Sequence, residues 1–326
     1  LPRGLDRAMT PKISVVMAAY NNALYLPEAI DSVLTQEGVD GIEVIVIDDA
    51  STDETPRVLE SYRDRIVSLT LPANTGGGAA PRNAGIRRAR GEYVALLDSD
   101  DIMLPGKLRE QCALLDGHPD VSFCFTNFRN FTDGRDAARD FLADHARFHA
   151  MERRPLGEAW YRIPADRAFE TLMLDNFIGT SGVMLRRSLI EQIGFFDEGL
   201  TCGEDLEYWI RVCRENDVAY IDREYHRRRL HPSNISSSAR SLEDILGLAE
   251  RLQQSPLTPT ARRNLRNWLS ALHFAVGYRH RIEGNRPLAI RHYLASFRFR
   301  KTNPDIPLAI LKALLPVRSR SARVTP

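Results

Sequence analysis

Cysteine is scarce in this chain. Its 326 residues hold four, Cys112, Cys124, Cys202 and Cys213, and no C-x-x-C pair. That spacing leaves neither a disulfide scaffold nor a zinc ribbon, and the expectation is reduced thiols in a cytosolic protein. Net charge is equally small: 44 Lys and Arg against 43 Asp and Glu give +1, so no global field argues for nucleic acid as a partner. The charge is uneven, however, and the C-terminal end is basic. No apolar run is long enough to span a bilayer, and the opening LPRGLDRAMT lacks the apolar stretch of a signal peptide. Residues 1–11 read as an extension, with Met9 a fit for a native start. The Gly-Lys-Ser/Thr of a phosphate-binding P-loop is missing as well.

What is present is alternation. KISVVMAAY, IEVIVIDDAS, IVSLTLP and EYVALLDSDD read as strands, rich in β-branched residues. Between them, LYLPEAIDSVLTQ has helical spacing, STDETPRVLESYRD opens with Ser51 or Thr52 as a helix cap, and GGGAAPRNAGIRRAR is a Gly-rich loop entering a helix. Strand and helix in turn imply βαβ crossovers and a mostly parallel α/β sheet covered on both faces. Ligands of such sheets bind at the carboxyl ends of the strands. A polar cluster follows each strand there: Ala19 to Asn21, Asp48 and Asp49, Asn74, and Asp98 to Asp101. Further on, VSFCFTNFRNF alternates like a strand and CGEDLEYWIRVCREN reads as a helix, while HRRRLHPSNIS reads as a polar loop. From about residue 241 the pattern is helical, which sets domains of 12–240 and 241–326.

Three carboxylates in four positions, Asp98, Asp100 and Asp101, raise one another's pKa unless a cation lies among them. A D-x-D at a strand end supplies hard oxygen ligands for Mg²⁺ or Mn²⁺. A solvated turn or a helix cap is the other reading, and Asp101 suits a cap because DIMLPGKLREQ continues into a helix. Arg82 and Asn83, at a helix start, suit an anionic ligand. Glu204 and Asp205 open an amphipathic helix, where they cap it or act as a general base. His231 is either a solvated loop residue or a ligand beside a diphosphate.

In this order and spacing, the stretches ISVVMAAYNNALYLPEAIDSVLTQ, EVIVIDDASTDET, NTGGGAAPRNAGIRRARGEYVALLDSDD, FDEGLTCGEDLEYWIRV and HPSNIS resemble the family 2 glycosyltransferases, over residues 12–236. The resemblance implies the GT-A fold, a Rossmann-like α/β sheet with flanking helices, followed here by a helical C-terminal segment. It implies an inverting transferase that takes a sugar from a nucleotide-diphosphate sugar, UDP being the commonest, to the hydroxyl of a saccharide or lipid-linked saccharide in polysaccharide or glycolipid synthesis. The matching positions imply nucleotide contacts at Ala19, Tyr20, Asn21, Asp48, Asp49, Asn74, Gly76, Arg82, Asn83, Asp98 and Ser99. Mn²⁺ or Mg²⁺ would sit at Asp98, Asp100 and His231, and the late loop would close near the phosphates through His231, with Arg229 a weaker candidate for that contact. Asp205 would be the catalytic base, with Glu204 the alternative. The loop NTGGGAAPRNAG departs from the family, which commonly has one Gly followed by bulkier residues.

A sugar-phosphate nucleotidyltransferase would carry a Gly-rich, Arg- and Lys-containing loop after its first strand, and AAYNNALYL has none. A non-catalytic homologue would be expected to lose the D-x-D or the Glu-Asp pair, and both are present. At the C-terminus, IPLAILKALLPVRSRSARV joins a short apolar helix to Arg318, Arg320 and Arg323. It reads either as a helix packed on its neighbours with a solvated basic end, or as a peripheral contact of 306–326 with the inner face of a membrane.

Overall fold

The computed structural model describes residues 10–132, 135–231, 240–301 and 305–314. Residues 1–9 of the N-terminal extension, the 232–236 part of HPSNIS and the 315–326 tail lie outside them. The chain forms two compact units, 1–238 and 239–326.

In the first unit, strands β1 (Ile13–Ala19), β2 (Ile42–Asp48), β3 (Val67–Thr70) and β4 (Tyr93–Leu96) pair in parallel in the order β3-β2-β1-β4. Helices α1 (Leu26–Leu34), α2 (Thr55–Ser61) and α3 (Ala79–Arg88) make the crossovers, and α4 (Lys107–Gly117) follows β4. The central strands β1 and β4 are almost wholly buried, whereas β3 is an exposed edge. Continuous burial is what a parallel strand covered on both faces requires, and it accounts for the unbroken Val, Ile and Met runs. Beyond β4 the sheet becomes mixed. Met184–Arg186 runs antiparallel to β4 and to Phe123–Thr132, which pairs in parallel with Val218–Arg229. The strand Trp160–Ile163 then adds antiparallel to Val218–Arg229.

Three local expectations are corrected. Helix α2 begins at Thr55 rather than behind a Ser51 or Thr52 cap, because the Asn21 side-chain oxygen accepts from the Thr52 and Asp53 amides and holds that turn out of the helix. Asp101 is no helix cap. Gly106, at φ +84°, precedes α4, and Asp101 is buried five residues upstream. The stretch HRRR is strand, not loop: His226 stacks on Phe128 with ring centroids 4.5 Å apart, and the Arg227 and Arg229 guanidiniums lie over the Phe131 ring. The charged residues hide a strand whose partner supplies aromatic faces.

The second unit holds helices Arg240–Leu252, Pro259–Ile282, Arg286–Phe299 and Asp305–Leu314. The 24-residue helix Pro259–Ile282 packs against the helices before and after it. Thr258 caps it, its hydroxyl accepting from the Ala261 amide at 3.0 Å.

Candidate active site

The ends of the parallel strands are tied to one another by side chains. Asn21 adopts φ 47° after β1, and its amide donates to the Ser51 hydroxyl beyond β2 at 2.8 Å. Asn22 donates from Nδ2 to Ser99 Oγ beyond β4, also at 2.8 Å. Asp49 accepts from Asn74 Nδ2 and from the Thr75 amide, each at 3.0 Å. The clusters after β1, β2, β3 and β4 therefore form one edge, joined by hydrogen bonds rather than merely aligned. Tyr20 is 46 % exposed on that edge, which leaves a ring face free to stack. Asp48 is fully buried and accepts from the Ser51 amide through Oδ1.

Arg82, in the first turn of α3, is the hinge of the acidic half. Its Nη2 donates to Asp98 Oδ1 at 2.6 Å and its Nη1 to Glu204 Oε1 at 2.5 Å. Burial works against the guanidinium charge, but Asp98 and Glu204 more than offset it and raise the pKa. The two bonds bring the β4 end onto the N-terminus of helix Glu204–Cys213. The glycine loop makes this fit possible. A Cβ on Gly78 would stand 2.3 Å from Arg82 Nη1 and 2.8 Å from Glu204 Oε1, and one on Gly77 would stand 2.9 Å from the Thr201 carbonyl oxygen. Gly76 takes φ +80° with open space around it.

Asp205 sits beside this bridge, partly buried, accepting from Thr180 Oγ1 at 3.3 Å and from the Leu206 amide at 2.6 Å. Burial, helped by the Asp98 charge, pushes its carboxyl above the usual range, and the hydrogen bonds and Arg82 oppose this. Glu204 is raised too, by burial and by Asp205, against Arg82. Of the two, Glu204 is committed to an ion pair while Asp205 is held only by hydrogen bonds.

Asp100 Oδ2 and His231 Nε2 lie 2.9 Å apart. Burial and Asp98 raise the Asp100 carboxyl, and His231 opposes them. The contact is a hydrogen bond between the two side chains, and a divalent cation accepting this carboxylate and imidazole would take the place of the shared proton. Asp98, expected with them, is instead held by Arg82. Among the described residues no three His, Cys, Asp or Glu side chains converge as a metal cage. Asp101 supports the loop from beneath. Its Oδ2 accepts from Ser181 Oγ at 2.6 Å, Ser181 Oγ accepts from the Asp98 amide at 3.0 Å, and Asp101 Oδ1 accepts from the Arg229 amide at 3.0 Å. Arg229 also donates to the Asp100 carbonyl at 3.0 Å, pairs with Glu28 and lies over the Tyr25 ring.

The structure thus brings together Ala19 to Asn21, Asp48, Asp49, Asn74, Arg82, Asp98 to Asp100, Glu204, Asp205 and His231. Asn83 stands apart. It is 1 % exposed, accepts from the Phe196 amide and donates to the Phe196 carbonyl and to Glu198, which is a packing role. Sequence reasoning missed Asn22, Thr75, Thr180 and Ser181. The second Asn of AYNN and the Thr of NTGGG were visible signals, whereas GTSG carried none beyond its small polar residues.

The family model for glycosyl transferase family 2 matches residues 14–194. The succinoglycan biosynthesis protein ExoO of Rhizobium meliloti is 36% identical over 208 residues, which are 63% of this chain and 56% of that protein. An uncharacterized glycosyltransferase of Rickettsia prowazekii is 26% identical over 238 residues, 71% of this chain and 67% of its own. The crystal structure of S. aureus TarS 1-349 in complex with UDP-GlcNAc superposes with a TM-score of 0.67 at 22% identity, over 93% of this chain and 88% of that one. The mannosyltransferase PcManGT from Pyrobaculum calidifontis, in complex with GDP-Man and Mn2+, gives a TM-score of 0.57 at 18% identity, over 93% and 79%. The sheet is that of the GT-A fold. With more than half its length matched by the family model, the chain belongs to the family 2 glycosyltransferases.

Proposed function

We propose that the protein is an inverting glycosyltransferase. It moves a sugar from a nucleoside diphosphate, uridine diphosphate first among the candidates, to an acceptor hydroxyl in polysaccharide or glycolipid synthesis at the cytoplasmic face of a membrane. The observation that carries this reading is the Arg82 bridge, which ties the Asp98 loop to the helix that bears Asp205. A base and a diphosphate-facing acidic loop are then a few ångströms from one guanidinium, which is the proximity a displacement needs. The name of ExoO, a succinoglycan biosynthesis protein, supports the polysaccharide assignment. So does that of the poly(ribitol-phosphate) beta-N-acetylglucosaminyltransferase TarS of Staphylococcus aureus, 38% identical over 111 residues, 33% of this chain and 19% of that protein. The UDP-GlcNAc complex of TarS supports a uridine nucleotide.

In this mechanism Tyr20 stacks on the base, and Asn21, Asp48, Asp49, Asn74 and Gly76 shape the pocket around the nucleoside. Asp205 takes the proton of the acceptor hydroxyl as that oxygen attacks the anomeric carbon. Thr180 orients the carboxylate, and the raised pKa strengthens it as a base. One base and attack opposite the leaving group give inversion. Asp100 and His231, with Asp98 next to them, would hold Mn²⁺ or Mg²⁺, and a cation bound there supplies positive charge where the departing diphosphate gains negative charge. Glu204 keeps Arg82 in place. No helix among the described residues is long and apolar enough to cross a membrane. Leu308, Leu311 and Leu314 are exposed on the helix Asp305–Leu314, which supports peripheral contact of the 306–326 segment with a lipid surface and a lipid-linked acceptor.

The test is release of nucleoside diphosphate from a panel of nucleotide sugars with Mn²⁺, using the full chain. One donor is expected to turn over, with loss in Asp205→Asn and Asp100→Ala. No turnover with any donor, together with no thermal shift on donor addition, refutes the proposal.

A further inference from the structure

The transfer reaction leaves one hollow of the molecule without a role. In the C-terminal unit, two adjoining cavities of about 510 and 300 Å³ share Leu257, Arg262, Arg266 and Phe299. Arg263 extends the first, and Arg298 with Leu265 and Leu269 extends the second. Together they form a groove along the first half of helix Pro259–Ile282, which the last residues of helix Arg286–Phe299 also line. The arginines are exposed, and Leu265 and Leu269 beneath them are buried.

Four guanidiniums thus surround one apolar-lined hollow. No carboxylate lines it, and among the described residues none of the four makes an ion pair. The imbalance extends through the unit. Residues 239–326 carry 16 Lys and Arg against 5 Asp and Glu, while residues 1–238 carry 28 against 38. The near-zero net charge of the chain therefore hides a strongly basic end. The 315–326 tail cannot neutralise the groove, because it contributes Arg318, Arg320 and Arg323 and no acid. Clustered arginines repel one another until an anion joins them, and the guanidinium fork matches phosphate oxygens. Phe299 is stacked on His273, with centroids 5.6 Å apart, so at most one of its faces is open to the groove, too little to sandwich a nucleobase. Its apolar lining suits hydrocarbon instead. The same unit holds seven of the thirteen exposed large hydrophobic side chains recorded among the described residues, in little more than a quarter of the chain. A basic groove and exposed apolar side chains in one unit are the two ingredients of an interfacial element.

We infer that this groove binds the phosphate of an anionic phospholipid, with the guanidiniums of Arg262, Arg266 and Arg298 on the headgroup and the start of the hydrocarbon chain along Leu257 and Phe299. The site rests on the C-terminal unit alone and not on the transfer reaction. None of residues 306–314 lines it.

The experiment is co-sedimentation of the full chain with vesicles of phosphatidylcholine alone and of phosphatidylcholine mixed with phosphatidylglycerol. Binding is expected only to the mixed vesicles. The double variant Arg262→Gln/Arg266→Gln should bind them about 25-fold more weakly, since one arginine at an anionic surface is worth about fivefold. The charge-matched double variant Arg286→Gln/Arg291→Gln should bind markedly better than the groove variant. Equal losses in the two variants would reduce the groove to general charge and overturn the site. So would full competition by soluble glycerol phosphate, which would make the ligand a free phosphate rather than a lipid. An oligomer, seen by sedimentation velocity, that dissociates in the groove variant without change in vesicle binding would assign the groove to a second copy instead. Unchanged thermal melting in both variants, and unchanged nucleotide-sugar turnover in detergent, separate failure here from failure of the proposed activity.

Discussion

Lys107 is the least comfortable residue beneath the acidic loop. Its side chain is fully buried at the start of α4, and its Nζ has no hydrogen-bond partner. Gln111 Oε1, Thr126 Oγ1 and His226 Nδ1 are without partners as well. Burial pulls the amine from its ordinary 10.5 down to about 7, with Cys124 and Asp101 pulling the other way. Between pH 7 and 10.5 the unfolded chain therefore binds a proton that the folded chain does not, so this group makes stability rise with pH across that window. At about 1.4 kcal/mol per tenfold change in proton affinity, the penalty is about 5 kcal/mol below pH 7 and about 2 kcal/mol at pH 9. Lys107→Met keeps an unbranched side chain one atom shorter and removes the amine. Relative to the wild type, the variant should gain about 3 kcal/mol more at pH 6 than at pH 9. The assay is urea unfolding of both proteins followed by circular dichroism across that range. A difference that does not change with pH would refute the reasoning. One of opposite sign would mean that Lys107 is charged and paired with Asp101 in the folded protein.

Further outcomes follow from the bridge and the base. Asp205→Asn should lower kcat by about 10²–10⁴-fold with little change in melting temperature, whereas Glu204→Gln should act mainly on stability by loosening Arg82; steady-state rates and thermal melts separate the two. The Thr180 hydroxyl lowers the Asp205 pKa, so Thr180→Val should raise it and move the acid limb of the kcat/KM profile to higher pH, activity being lost as pH falls through that value. Gly78→Ala would drive a methyl into the Arg82–Glu204 ion pair. It should cost about 1–3 kcal/mol and weaken donor binding, measured by thermal melting and by titration with the nucleotide sugar.

The parallel half of the fold was legible because each strand is a buried β-branched run followed by a polar cluster, and each crossover is amphipathic. Chemistry and topology coincide there, since a parallel sheet aims all four clusters at one edge. The strand Val218–Arg229 was not legible, because HRRR reads as polar until Phe128 and Phe131 are seen beneath it. Asp101 was misread for a related reason. A carboxylate ahead of a helix looks like a cap in one dimension, and only the fold shows that Ser181 and Arg229 reach it from 80 and 128 residues away. The glycine loop is the instructive case. As sequence, GGG was a departure from family habit, with its contacts unassigned. In the fold, Gly77 has no room for a side chain against the Thr201 backbone, and Gly78 has none against the Arg82–Glu204 pair. The loss of bulk in the loop and the close approach of the helix Glu204–Cys213 are therefore one feature. A side chain at Gly77 would press on the Thr201 backbone just ahead of that helix, and one at Gly78 would displace the Arg82 and Glu204 side-chain ends that form the bridge.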